Sequence, residues 1–214
     1  MIVPGCHSIA LAFGALLLTG AAGAAEPSRF DLGADLGYAL PAGSLERGSD
    51  LSDLTYGSVG LGLDGAYRWH PLFAAGLVAS YRAVIPKLCS SGGDCTSSLG
   101  HDASIGVLGR WYIGAWGVFV PDLDLRLGYE WLTAKHADAG ASSSRSFRGF
   151  VLGVAGHAQF TLSRTFTLGP FLELTSGSFG RASLDAPGVS QSRETDGTAL
   201  HLWMALGIRA VKAW

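Results

Sequence analysis

The chain has 214 residues, a length that suits one domain. Charged residues make up only 15% of it, the mean hydropathy is +0.30 and the net charge at pH 7 is −2. A chain with so few basic residues lacks the phosphate-binding surface of a nucleic-acid-binding protein, so we expect no nucleic-acid partner. Beyond its N-terminal region, it contains no run of about 18 apolar residues that would predict a spanning helix.

Residues 1–25 have the pattern of a secretory signal peptide. An apolar stretch, Ile9–Leu18, precedes small residues at positions 22–24 that suit cleavage. The segment before the apolar stretch departs from the pattern because it contains neither Lys nor Arg. We expect residues 26–214 to form the mature protein as one domain.

Three cysteines occur in the chain, and the first, Cys6, would be removed with the signal peptide. Cys89 and Cys95 remain, with only five residues between them. An even number of cysteines in an exported protein favours a disulfide bond. The alternative is two free thiols in a loop.

Eight segments alternate apolar residues with small or polar ones, as β-strands do when their two faces meet different surroundings. In the clearest segment, Leu125 and Leu127 alternate with Asp124 and Arg126. Pro170 lies inside the seventh segment and predicts a bulge there, because proline cannot donate a ladder hydrogen bond. In chain order, the segments are residues 30–40, 59–69, 76–85, 102–111, 119–131, 150–160, 166–174 and 200–210.

The connections between these segments alternate in length. Four long connections on one side and three short turns on the other are typical of an antiparallel up-and-down transmembrane β-barrel. The sequence therefore predicts an all-β, eight-stranded barrel with both termini on the periplasmic, short-turn side. The short turns lie near residues 70–72, 114–117 and 163–165, and the long surface loops are residues 41–56, 86–100, 133–147 and 180–197.

The face opposite the apolar one consists mainly of Gly, Ala and Ser, with isolated charges and no lysine. A soluble barrel with an apolar core would show the same period, but its polar face would carry many Lys, Glu and Thr residues. Small residues fit the crowded lumen of an eight-stranded barrel, and charges of both signs can pair across it. We therefore expect the apolar face to meet lipid. The lumen charge network is expected to contain Asp31, Asp35, Asp64, Arg68, Arg82, Asp102, Arg110, Asp122, Asp124, Arg126, Glu130, Glu173 and Arg209.

Aromatic residues occur near both ends of the predicted strands, where transmembrane barrels place rings at the two lipid–water interfaces. Near the periplasmic ends are Trp69, Phe73, Trp111, Trp116, Phe119, Phe160, Phe166 and Trp214. Toward the long-loop ends are Tyr38, Tyr56, Tyr81, Tyr129, Trp131, Phe150 and Phe179.

The last strand, HLWMALGIRAVKAW, alternates apolar residues and ends on an aromatic one. In this feature and in its whole architecture, the chain resembles the small eight-stranded outer-membrane β-barrel proteins of Gram-negative bacteria, of the OmpA, OmpX and OmpW types. The resemblance implies a place in the cell outer membrane and contact with its lipid. It also implies a signal for the barrel-assembly machinery, which Lys212 interrupts where an apolar or aromatic residue is usual. The residues that match this signal are Leu206, Ile208, Ala210 and Trp214.

Three pairs of residues are candidates for acid–base chemistry: His101 with Asp102, His136 with Asp138, and His157 with Glu173. The first pair consists of neighbours in one strand, which face opposite sides. The second lies in a predicted polar loop. The third faces the lumen from adjacent strands, where a structural hydrogen bond is the more common role. No catalytic motif or metal-ligand spacing stands out, and no cofactor is implied.

We therefore predict a non-enzymatic, monomeric outer-membrane barrel with a small lumen filled by side chains. Its extracellular loops would serve structural, adhesive or surface-contact roles, and a surface ligand would contact those loops. Two alternatives stay open: an outer-membrane lipid-modifying acyltransferase or hydrolase, and a narrow channel for small or hydrophobic solutes.

The disulfide can be tested by thiol labelling of the exported protein after denaturation. Neither Cys89 nor Cys95 should react, because both sulfurs are in the bond. The bond closes a short loop and removes little entropy from the unfolded chain, so reduction should leave the stability of the barrel nearly unchanged. Complete labelling without reductant would contradict the bond.

Overall fold

The structure, a computed structural model, describes residues 29–46, 49–86, 96–97, 100–114, 118–138, 141–195 and 199–214. The predicted signal peptide and the pair Cys89 and Cys95 lie outside these residues. Within them, no helix is long and apolar enough to cross a membrane.

The described chain is almost entirely β-structure. Its elements are β1 (Phe30–Glu46), β2 (Ser49–Asp50), α1 (Leu51–Leu54), β3 (Thr55–His70), β4 (Phe73–Pro86), β5 (Thr96–Ser97), β6 (Gly100–Tyr112), β7 (Phe119–Asp138), β8 (Ala141–Ser163), β9 (Phe166–Ala186), β10 (Val189–Glu194) and β11 (Leu200–Ala213).

Eight long strands pair antiparallel in chain order: β1, β3, β4, β6, β7, β8, β9 and β11. The last strand, β11, also pairs with β1, from Asp31 opposite Ala213 to Gly43 opposite His201. This pairing closes the ring, so the barrel has no free sheet edge. The predicted eight-stranded, up-and-down barrel is confirmed.

The strands extend beyond the predicted segments at the end of the barrel that carries the long connections. β7, β8 and β9 contain 20, 23 and 21 residues, whereas about 9–11 are enough to cross a bilayer. Much of the predicted loops at 133–147 and 180–197 is therefore β-structure. His136 and Asp138 lie in β7 rather than in a loop. Polar residues on both faces of these extensions removed the alternation that identifies a strand.

Pro170 does not mark the bulge that the sequence predicted. It pairs with Ile208 of β11, and the register of β8 against β9 is the same before and after it. Because proline has no backbone N–H, one hydrogen bond between the strands is lost, but the strand gains no extra residue there. The pairing of β8 with β9 is irregular at two other places, at Gly180 of β9 and between Thr161 and Ser163 of β8.

The outer surface of the barrel is a belt of exposed apolar side chains. Leu125 is 57% exposed on β7, while its neighbours Asp124 and Arg126 point inward and are buried. On β8, the belt runs from Phe160 to Phe150. At a strand tilt of about 40°, these positions span roughly 25 Å, the height of the apolar band of transmembrane barrels. The apolar face therefore points outward, as predicted.

Aromatic rings lie on the outer surface near both ends of the belt. Exposed examples are Trp69, Phe73, Trp111, Phe160 and Trp214 at one end, and Tyr38, Tyr56, Tyr81, Trp131 and Phe150 at the other. Phe179 is the exception to the prediction, because it is 1% exposed and faces the lumen. The inward face of β9 follows odd-numbered positions up to this residue. Trp116 lies outside the described residues.

The predicted assembly-signal residues lie on the outer face of β11, except for Trp214, which directly follows the strand. Leu206, Ile208 and Trp214 are exposed, and Ala210 is half-buried. Lys212, which departs from the pattern, is buried, and its Nζ donates a hydrogen bond to Thr165 Oγ1 at 3.1 Å. The lysine ammonium is thus held at the short turn between β8 and β9. Recognition by the assembly machinery stays a prediction.

The orientation of β7 can be tested with Leu125→Arg. A cation facing lipid near the middle of the belt should lower the free energy of unfolding by roughly 2–4 kcal/mol. Leu162→Arg is the matched control, because Leu162 is exposed at the periplasmic end of the belt, where the same change costs little. Urea titrations of both variants folded into lipid vesicles measure the difference. If Leu125→Arg were as stable as the parent, Leu125 would not face lipid.

Candidate functional site

The lumen gathers the charged residues that the sequence assigned to it. All thirteen belong to the eight strands of the ring, and twelve are buried. The remaining one, Arg68, lies at the periplasmic end with 28% of its side chain exposed. Four buried guanidinium groups connect the buried carboxylates other than Asp31 into one network, which we call the arginine ladder. Its arginines are Arg82, Arg110, Arg126 and Arg209.

Two of these arginines share a carboxylate in the middle of the lumen. Arg110 donates from Nε to Asp124 at 2.7 Å and from Nη2 to Asp64 at 3.0 Å. Arg209 lies 2.7 Å from the other oxygen of Asp64 and donates to Asp35 at 2.6 Å. These contacts connect strands on opposite sides of the ring and fix their relative stagger.

Arg126 extends the ladder toward the extracellular side. Its Nη1 lies 2.5 Å from Glu173, while its Nη2 lies 3.2 Å from Asp124 and 3.4 Å from Asp35. Glu173 also accepts a hydrogen bond from Arg82 at 3.2 Å. One carboxylate on β9 therefore links two arginines.

Arg82 is the uppermost arginine of the ladder. It donates to Asp102 at 2.9 Å and lies 3.8 Å from Glu130. Its guanidinium carbon is 5.6 Å from the centre of the buried Trp203 ring, within the range of a cation–π contact. Asp102 thus faces the lumen, whereas its neighbour His101 contacts the Tyr81 hydroxyl on the outer face, as the alternation predicted.

Two histidines terminate the network. His201 Nε2 lies 2.6 Å from Glu130, and its ring stacks on Phe179 with centroids 4.1 Å apart. His157 Nδ1 lies 2.5 Å from Asp122 on β7. The expected partner of His157 was Glu173, but Asp122 is directly opposite it in the ladder of β7 and β8. Directly opposed residues have the shortest side-chain separation in a sheet.

A smaller group closes the periplasmic end. Arg68 donates to Asp31 at 2.9 Å, and its guanidinium carbon lies 3.8 Å from the centre of the Tyr112 ring. The Tyr112 hydroxyl also donates to Asp31. Tyr112 and His201 were not among the residues predicted for the network, although both occupy lumen positions in the alternation of their strands.

The network contains more acid than arginine: its predicted members include eight carboxylates and five arginines. A buried charge without a partner is costly, so a surplus of acid needs another source of positive charge or shared protons. Among the described residues, the luminal histidines His157 and His201 each contact a carboxylate of the network.

Asp122, Asp124 and His157 have ligand atoms within 4.8 Å of one another, which is the spacing of a metal site. The Arg110 guanidinium, however, lies 2.7 Å from Asp124 and 3.5 Å from Asp122. It places a cation against the same carboxylates, so this group does not fit a metal centre.

In the described part of the chain, no Ser, Thr or Cys side chain is hydrogen-bonded to a luminal histidine. Among the described residues, His157 and His201 form their side-chain hydrogen bonds with carboxylates rather than with Ser, Thr or Cys. Covalent catalysis needs a hydroxyl or thiol within hydrogen-bond reach of the base. The surroundings of these two histidines therefore give no support to a hydrolase or acyltransferase that would use either of them as its base.

An apolar plug fills the extracellular end of the lumen. The first long connection folds inward, so that Leu45 and Leu51 are buried in one cluster with Phe147, Phe179 and Trp203. Two cavities beside the ladder have volumes of about 40 and 30 Å³. Each is close to the volume of one or two water molecules in the liquid.

A larger cleft lies above the plug, on the extensions of β8, β9 and β10. Its volume is about 560 Å³, and it is lined by two arginines, several hydroxyl groups and an apolar floor. The residues that line it are Arg145, Phe147, Ala182, Ser183, Leu184, Ser190, Gln191, Ser192 and Arg193.

No protein-family model and no curated protein matches the chain. Solved structures match nearly its whole length. The structure of Neisserial surface protein A covers 89% of this chain and all of its own, with 13% identity and a TM-score of 0.57. A major outer membrane protein from Thermus thermophilus covers 87% of this chain and all of its own, with 11% identity and a TM-score of 0.58. OprG from Pseudomonas aeruginosa covers 88% of this chain and 98% of its own, with 15% identity and a TM-score of 0.52.

The chain has the fold of the small outer-membrane β-barrel proteins. At these identities, the likeness concerns the fold, and the side chains of the lumen have to be interpreted from this chain alone. The exposed apolar belt of the barrel fits the cell outer membrane as its location.

The pairing in the ladder can be tested with Arg126→Leu. The change leaves Glu173 and Asp124 without one of their cations and should lower the free energy of unfolding by about 3–5 kcal/mol. The double variant Arg126→Leu/Glu173→Leu should recover part of this loss, because one stranded carboxylate is gone while Arg82 keeps Asp102. Unfolding in vesicles by urea gives the coupling energy.

Arg164→Leu, in the exposed turn after β8, controls for the loss of an arginine as such and should leave the stability unchanged. The double variant could instead lose as much free energy of unfolding as the two single variants lose together. In that case Arg126 and Glu173 would not act as a pair.

Proposed function

We propose that the protein is a non-enzymatic, non-conducting outer-membrane barrel that holds a raised β-sheet outside the cell for surface contact. The observation that carries this proposal is the filled lumen. The arginine ladder occupies the middle, and the apolar plug covers the extracellular end. An eight-stranded barrel is only wide enough for side chains, so the filling by the described residues supports a lumen without a continuous water path.

The raised sheet consists of the upper parts of β7, β8 and β9 together with β10. The residues of β8 before Arg148, at 141–147, extend about 23 Å along the strand at 3.3 Å per residue. Cross-strand hydrogen bonds stiffen the sheet, including Thr133 with Ser146 at 3.2 Å and Ser190 with Asp185 at 2.6 Å. A stiff sheet presents a binding surface with a smaller entropy cost than a flexible loop does.

The cleft on this sheet is the candidate contact site. Its volume of about 560 Å³ lies in the range of small-ligand sites. Arg145 and Arg193 provide positive charge at its lining, and Phe147 provides an apolar floor. This chemistry suits an acidic, hydroxyl-rich partner, such as part of an acidic carbohydrate.

Planar-bilayer recordings test whether the lumen is closed. The purified, folded protein should give no discrete conductance steps. A variant with residues 44–54 replaced by a short Gly-Ser linker should also stay silent, because the ladder closes the lumen independently of the plug. Conductance steps from the parent protein would favour the narrow-channel alternative instead.

Cysteine labelling of intact cells tests whether the raised sheet is presented outside. In a background with Cys89→Ser and Cys95→Ser, Ser190→Cys should react with a membrane-impermeant maleimide. Ser163→Cys is the matched control at the short turn after β8 and should react only after the outer membrane is permeabilised. The reverse pattern would show that the sheet faces the periplasm and would end the proposal.

A further inference from the structure

We propose that the outer face of the barrel binds the phosphorylated headgroup of an outer-leaflet lipid through Arg148 and Arg181. These two residues are directly opposite each other in the pairing of β8 and β9, and both are exposed. Arginine suits this role because its planar guanidinium can donate two parallel hydrogen bonds to one phosphate. The site lies outside the lumen and does not depend on whether the barrel conducts.

The position of the pair just above the apolar belt identifies the membrane as the source of the phosphate. Arg148 is the first outward-facing position above Phe150, which is 71% exposed at the upper edge of the apolar belt. Two residues of tilted strand raise it by roughly 5 Å, which is the level of the lipid headgroups. Trp131 is opposite Arg148 on β7 and is also exposed, so the arginine lies beside the interfacial aromatic residues.

A bulge in β9 sets the direction of the second arginine. Up to Phe179, odd-numbered residues of β9 face the lumen, so continued alternation would point Arg181 inward. The pairing instead changes from Gly149 with Phe179 to Arg148 with Arg181, which makes Gly180 an extra residue. A bulge of this kind redirects the side chains that follow it. Arg181 therefore faces outward beside Arg148, and Ala182 becomes the next buried residue.

Hydroxyl groups surround the arginine pair on the side away from the membrane. Thr133 and Ser146 lie one step above Trp131 and Arg148 on the same face and share a hydrogen bond of 3.2 Å. Ser183 is opposite Ser146 in β9. These groups can donate to phosphate oxygens, while acyl chains of the same lipid would follow the belt downward over Phe150.

The guanidinium groups are not committed to carboxylates of the protein. In the part of the chain that the structure describes, no ion pair within 4 Å involves Arg148 or Arg181. The nearest acid in the pairing scheme is Glu194 of β10, which is opposite Arg181. Its carboxylate reduces the positive potential at the site, so its removal should strengthen phosphate binding.

Native mass spectrometry of the full protein, folded in detergent and titrated with defined lipids, tests the proposal. The probes are bis-phosphorylated lipid A, the same lipid without its phosphates, and inorganic phosphate. Arg148→Gln and Arg181→Gln should each weaken lipid A binding about five-fold, the factor expected for one basic residue near a charged membrane surface. The double variant should bind lipid A about 25-fold more weakly than the parent, and Glu194→Gln should bind it more tightly than the parent.

Arg164→Gln, at the opposite end of β8, is the matched control and should bind as the parent does. Retained anomalous migration of unboiled protein on a denaturing gel checks that each variant is folded. Equal binding of lipid A by the parent and the folded double variant would overturn the proposal. The proposal would also fail if the parent bound the phosphate-free lipid as tightly as it binds lipid A. Inorganic phosphate that competes at the affinity of lipid A would instead identify a site for soluble anions, which also contradicts a lipid site.

Discussion

The closure of β1 against β11 is the constraint on which the rest of the structure depends. Hydrocarbon offers no hydrogen-bond partner, so every backbone N–H and C=O within the belt has to be paired inside the protein. A closed ring of eight strands achieves this, and its side chains can face only the lipid or the lumen. Apolar ones face lipid, and polar ones share a lumen that is too narrow for water to solvate them well.

The arginine ladder follows from that confinement. Charges that enter a narrow lumen need partners there, and four buried arginines supply them to a larger number of carboxylates. Replacing such a network by apolar residues is often neutral for stability, while breaking one pair is costly. The ladder is therefore better explained by the specificity of strand stagger and by closure of the lumen than by a large net contribution to stability. The contacts of Arg209 and Arg110 through Asp64 illustrate this, because they join residues far apart in the chain.

The fold was predictable from the sequence because apolar and polar residues alternate where the two faces of a strand meet different surroundings. Leu125 and Arg126 exemplify this, since lipid and lumen impose opposite residue types on neighbours. Above the membrane, both faces meet water and the alternation disappears, so the sequence predicts loops for the upper thirds of β7, β8 and β9. The side-chain partners within the lumen were equally inaccessible from the sequence. The pairing of His157 with Asp122 depends on strand stagger, and the outward direction of Arg181 depends on a single extra residue, Gly180.

These physical requirements also explain how the same barrel occurs at 11–15% sequence identity. Within the belt, the fold requires a class of residue at each position, apolar outside and small or paired inside, and many sequences meet that requirement. Above the belt, the strands need only backbone pairing, so side chains there are free to serve contact. The two contact sites that we propose lie at and above the upper edge of the belt: the cleft beside Arg145, and the outward pair of Arg148 and Arg181. Under the proposed function, a substitution in the lumen should thus act first on folding, whereas one in the raised sheet should act on binding and leave the barrel intact.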